Sequence, residues 1–223
     1  MHSEHFVSFS LWSVIYLQHL GSTLYDKALK SPPEIRKLEM AQSIRLYRQS
    51  LDICRSTLGN SHALTVQAMN NLGNLLHARG LLMPKFIAGR GPNRRRDAQI
   101  AEGADLLREA LEVCRSKHGE WHIETLIGAS NLGSALRTLG NEKERPGYTP
   151  EHLASIQSEA NGLIKSAIEG IAVQWKAPQL ENQPRARAAL LDGLADLDQE
   201  GKAAIDSLGP WDDKTERLMY VKM

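Results

Sequence analysis

Apolar residues along this chain recur at three- and four-residue steps, the spacing of one face of an α-helix. Leu106, Leu107, Ala110, Leu111 and Cys114 form one wide stripe, and Leu126, Ala129, Leu132, Leu136 and Leu139 form another. Between them Arg115 and Lys117 precede Gly119. That is the order expected at a helix end, where cations sit beside open carbonyls and a glycine then turns left-handed. Read along the whole chain, the pattern predicts helices at about 6–27, 36–57, 63–79, 98–117, 123–139, 151–175 and 185–200. Every apolar-periodic segment keeps these steps, so the fold class is all-α.

The helices belong to a repeat. Residues 41–80 and 101–140 align without a gap, and fifteen of the forty positions are identical. The identities include Leu51/Leu111, Cys54/Cys114, Gly59/Gly119, His62/His122, Thr65/Thr125, Asn71/Asn131, Leu72/Leu132 and Gly73/Gly133. Weaker echoes extend the pattern outward. Leu20-Gly21 matches Leu72-Gly73, and Leu163-Ile164-Lys165 matches Leu106-Leu107-Arg108. A mid-helix glycine costs about 1 kcal/mol against alanine, so its recurrence is expected where a neighbouring helix comes close. A duplicated helical unit of this kind buries its apolar face only by stacking on the next unit. The expected architecture is one continuous domain over residues 1–223, a solenoid of antiparallel helix pairs, compatible with a piece of a longer array.

The connections alternate in length. Those at 58–62 and 118–122 are tight, whereas 28–37, 81–97, 141–150 and 176–184 read as long links rich in Pro, Gly and charge. The insertion at 81–97 is expected to be a surface loop. Phe6 to Tyr25 contains no Asp, Glu, Lys or Arg, but Gln18, His19, Gly21, Ser22 and Thr23 interrupt it and no cationic start precedes it. A repeat helix is therefore the preferred reading there over a signal or anchor at residues 6–25, and the expected location is cytoplasmic.

Composition narrows the function by exclusion. Apolar residues at 42% and charged residues at 24% fit a globular chain. A net charge of +1 argues against a global field for nucleic acid. The balance hides a basic excess, because residues 81–97 carry Lys85, Arg90, Arg94, Arg95 and Arg96 against Asp97 alone. Two cysteines cannot build a disulfide scaffold or a four-thiolate zinc site; Cys54 and Cys114 read as small core residues. No phosphate-binding glycine loop, H-E-x-x-H or dinucleotide fingerprint occurs. His118 and His122 straddle Gly119 at a helix end, so zinc is set aside, and His62 and His122 read as link residues that position the helix after them. No catalytic residue, metal or cofactor is expected.

The runs Leu46–Ile53, Leu58-Gly59-Asn60-Ser61-His62 and Asn70–Leu76, repeated at Leu106–Val113, Gly119–Thr125 and Asn131–Leu136, resemble tetratricopeptide repeats of the kinesin-light-chain type. That resemblance implies a right-handed α-solenoid, a TPR-like superhelix in which the Leu-Gly helix opens each repeat and the insertions fall inside repeats. It further implies a non-catalytic adaptor that binds a peptide segment on its concave face. In such repeats the asparagine before the Leu-Gly pair lines that face and bonds a peptide backbone, which points to Asn71 and Asn131. Neighbours on the same face would be Gln67, Asn74, His77, Ser134 and Arg137. The expected partner is a protein or peptide; small-molecule, membrane and nucleic-acid partners are disfavoured. The alternative is a nucleic-acid-associated repeat protein using the basic loop at 90–96, with Arg90, Arg94, Arg95 and Arg96 as the electrostatic contacts.

Overall fold

The computed structural model describes residues 2–141 and 148–175. The helix expected at 185–200, the link at 176–184 and most of the link at 141–150 lie outside the described residues. Among those described, the elements are α1 (His2–Lys30), α2 (Pro33–Leu58), α3 (Ala63–Leu81), β1 (Phe86–Ile87), β2 (Gly91–Pro92), α4 (Arg94–His118), α5 (Ile123–Gly140) and α6 (Pro150–Trp175). None of the described helices is long and apolar enough to cross a membrane.

The helices pack as adjacent antiparallel pairs, and the mid-helix glycines make the contacts. In α1/α2, a Cβ on Gly21 would meet the Tyr47 ring at 3.0 Å, and the Ser43 hydroxyl donates to the Gly21 carbonyl at 2.7 Å. In α3/α4, Gly73 lies under Leu107 and Gly103, while Gly80 lies under Ile100. In α5/α6, Gly133 lies under Ile164 and Ala160, and Gly140 lies under Gln157. Along each pair the contact residues rise in number on one helix as they fall on the other, so the partners run in opposite directions. The repeat unit is thus a Leu-Gly helix followed by its partner. The tight links 59–62 and 119–122 join one pair to the next. The echo of Leu106-Leu107 in Leu163-Ile164 has its physical cause here, since Leu107 and Ile164 each cap a glycine of the preceding helix.

By packing, the chain divides into two units, residues 1–114 and 115–223. In the first unit α2 and α4 run side by side in the same direction, joined by Arg48–Glu102 and Arg55–Glu109. Its core gathers Met40, Ile44, Tyr47 and Leu51 of α2, Met69, Leu72, Leu75 and Leu76 of α3, and Ala110 and Cys114 of α4. Gln18, which interrupts the apolar run in α1, is itself buried; its amide donates to Ser50 Oγ at 3.1 Å and to the Leu64 carbonyl at 3.4 Å. In the second unit Leu126, Leu132 and Leu136 of α5 and Leu163, Ile164 and Ala167 of α6 are buried. Cys54 and Cys114 are free thiols inside the first unit, and burial pushes the Cys54 pKa up.

Two of the long links are shorter than the sequence suggests. The link expected at 28–37 is only Ser31-Pro32, because Pro33 opens α2. A proline at the first helical position gives up a backbone donor that has no partner there in any case. The loop expected at 81–97 is a hairpin bounded by Leu82 and Asn93. Asn93 is buried at its base: its backbone N–H donates to the Lys85 carbonyl at 2.8 Å and its side chain donates to the Pro84 carbonyl at 2.9 Å. Above that base, Phe86 and Ile87 remain exposed. Replacing residues 85–91 with a short Gly/Ser linker, Asn93 retained, is expected to leave the Tm within a few degrees. No core residue is lost, since Phe86 and Ile87 are exposed, and closure entropy changes by only about 0.6 kcal/mol per doubling of loop length. A thermal melt followed by circular dichroism checks this; a collapse in Tm would show that the hairpin supports the core.

Candidate peptide-binding face

The links set the start, and hence the rotation, of the helices that carry the candidate residues. Gly59 and Gly119 adopt left-handed φ values of 80° and 83°, open to glycine at no steric cost. Each is followed by a histidine N-cap. His62 Nδ1 accepts from the Leu64 N–H at 3.2 Å, and His122 Nδ1 accepts from the Glu124 N–H at 3.3 Å. The caps satisfy donors that the first helical turn leaves open, so both histidines do position the next helix. The Thr65 hydroxyl completes the first link by donating to the Gly59 carbonyl at 2.7 Å. Thr125 is equally buried, but its hydroxyl has no partner among the described residues. The turn also stacks the His118 and His122 rings, centroids 4.5 Å apart, although Gly119 separates them in sequence.

On α3, Gln67, Asn71, Asn74 and His77 fall on one face at steps of four, three and three. Gln67 is exposed and the others half-buried, flanked by the buried Ala68, Leu72 and Leu75. On α5, Asn131, Ser134 and Arg137 form the equivalent half-buried stripe beside the buried Leu132, Ala135 and Leu136. Each helix therefore brings its own candidate residues together. His77 and Arg137 have partners within the protein. Among the described residues, no hydrogen bond joins the Asn71 or Asn131 amide to another side chain or backbone group. Asn70 adds a residue that repeat-based reading passes over, because its counterpart is Ser130. Its Oδ1 is buried and unpaired, and the Asn-Asn doublet was its only signal.

The basic segment divides. Arg96, expected as an electrostatic contact, is 2% exposed, with its Nη1 3.2 Å from Asp97 Oδ1. Asn93 Oδ1 accepts from the Arg96 N–H at 3.3 Å and so caps α4. Arg96 is thus an internal residue of a helix start. Lys85, Arg90, Arg94 and Arg95 are exposed. Burial, and then the charges of Arg95 and Arg48, push the pKa of Arg79 on the last turn of α3 below its ordinary value.

Antiparallel helix pairs, each closed by a glycine of its first helix and joined by histidine-capped links, define a helical-repeat protein. Residues 35–82, covering α2, the first link and α3, match the tetratricopeptide repeat family. Repeats of that family generally act as protein–protein interaction modules. No curated protein gives a significant match to the chain.

Proposed function

We propose that the chain is a non-catalytic scaffold that holds a peptide segment on the polar stripes of its Leu-Gly helices. The observation that carries this reading is the state of Asn71 and Asn131: half-buried, mid-helix and with no hydrogen bond among the described residues. Asparagine is a poor helix former, and among the described residues neither side chain bonds a second helix, which supports a role toward a ligand. An amide donates and accepts at once, matching a peptide unit. The likeness to kinesin-light-chain repeats supports the same assignment, with Gln67, Asn74, His77, Ser134 and Arg137 as neighbouring contacts. Buried thiols used as core residues fit a reducing, cytoplasmic location.

The partner is to be found by pull-down with mass spectrometry, followed by titration of the segment identified. Asn71→Ala and Asn131→Ala should each weaken binding by about 1 kcal/mol, the net worth of one hydrogen bond, at almost unchanged stability. Unchanged affinity in a folded variant removes the residue from the site. Destabilisation of the double variant by several kcal/mol makes the asparagines structural instead.

A further inference from the structure

We propose that the hairpin between α3 and α4 is a docking element for an anionic lipid bilayer surface, with Phe86 and Ile87 entering the interface and Lys85, Arg90, Arg94 and Arg95 meeting the headgroups.

The first observation is exposure. Phe86 is 58% exposed and Ile87 39%, and Leu81 and Leu82 at the hairpin's root are each 53% exposed. Four large apolar side chains within seven residues are thus exposed to water. The hairpin stands clear of its surroundings, since a Cβ at Gly89 or Gly91 would meet nothing within 4 Å. A protruding apolar tip has no cavity in which to receive a peptide side chain, as a protein partner would need. It fits a soft surface into which the tip itself inserts.

The second observation is charge. The four exposed cations have no ion-pair partner among the described residues. Asp97, the one acid in residues 79–97, is occupied by the buried Arg96. Arg94 and Arg95 also stand in the first turn of α4, where the helix dipole disfavours cations and favours anions. Arg79 nearby has its pKa lowered first by burial and then further by the charges of Arg95 and Arg48. An arrangement that costs stability in the free chain becomes favourable against a layer of phosphates. The base is fixed by Asn93, and the Arg90 N–H closes the turn on the Ile87 carbonyl at 2.9 Å, so the hairpin is held together by its own hydrogen bonds.

The test is co-sedimentation of the full chain with vesicles of phosphatidylcholine, with and without phosphatidylserine. Binding is expected only to the phosphatidylserine vesicles and should weaken as salt rises. Each of Arg90→Gln, Arg94→Gln and Arg95→Gln should weaken it about fivefold. Phe86→Ser with Ile87→Ser should lower the affinity further, with Tm changed by no more than a few degrees because neither residue is buried in the core. The proposal is overturned by absence of binding to phosphatidylserine vesicles, by equal binding to both vesicle types, or by insensitivity to the serine pair. A larger fall in Tm in the serine variant would place these residues in the core and overturn it as well. So would dissociation of a dimer by that variant in sedimentation equilibrium, which would make the tip a self-contact. Retention on polyglutamate that survives the serine pair, with vesicle binding absent, would assign the cations to an acidic peptide instead.

Discussion

Gly103→Val is expected to lower the Tm by roughly 10 °C. A Cβ at Gly103 would sit 2.7 Å from the Gly73 carbonyl oxygen, 3.2 Å from Leu76 Cβ and 3.3 Å from the His77 nitrogen. Those are backbone and near-backbone atoms, which cannot swing aside as a side-chain end can, so α3 and α4 must separate. Overpacking of this kind costs about 1–3 kcal/mol, and the branched side chain stands at the upper end. At about 2–4 °C per kcal/mol for a chain of this size, the melt should show it clearly. Gly162→Ala is the control. A Cβ there meets nothing within 4 Å, so the substitution should stabilise α6 by up to about 1 kcal/mol through helix propensity alone. Two glycines in the interiors of helices should therefore respond with opposite signs. Equal responses would mean that the α3/α4 contact is looser than described.

Asp97→Ala is expected to cost about 3–5 kcal/mol in urea unfolding, the usual result of removing one partner from a buried ion pair. The side chains of Arg96 and Asp97 are only 3% and 10% exposed. The truncation removes the Asp97 carboxylate from a buried guanidinium at the start of a helix, where a cation is already disfavoured. Replacing the pair together, as R96M/D97L, should cost less than D97A alone, because both buried charges are then removed together. A benign D97A would show that water or another group satisfies Arg96, and the pair would lose its role in anchoring the hairpin base.

The residues behind these two predictions were legible to different degrees. The recurrence of Gly73 and Gly133 in matching, otherwise apolar helices already implied a close helical neighbour, and Leu107 and Ile164 now fill that place. Gly103 has no glycine counterpart in the first copy, where Ser43 stands, so repetition could not reveal it. Asn71 and Asn131 stood out because they recur, and their polar stripes follow from helical geometry alone. Asn70 was passed over because it does not recur.

What the sequence by itself determined is local and periodic. The six described helices, the tight links at Gly59–His62 and Gly119–His122, the histidine caps and the duplicated unit depend on residues a few positions apart. A 3.6-residue period records such relations directly. Tertiary structure alone decided which of five clustered cations is buried, that Ser31-Pro32 is a two-residue corner, and that Gln18 ties three helices together. Each depends on what a distant segment brings alongside. A run of arginines looks solvated until the fold buries Arg96 beside Asp97, and a glutamine in an apolar run looks misplaced until Ser50 and the Leu64 carbonyl arrive to accept its hydrogens. Burial is a property of the neighbours, and the neighbours are set by packing.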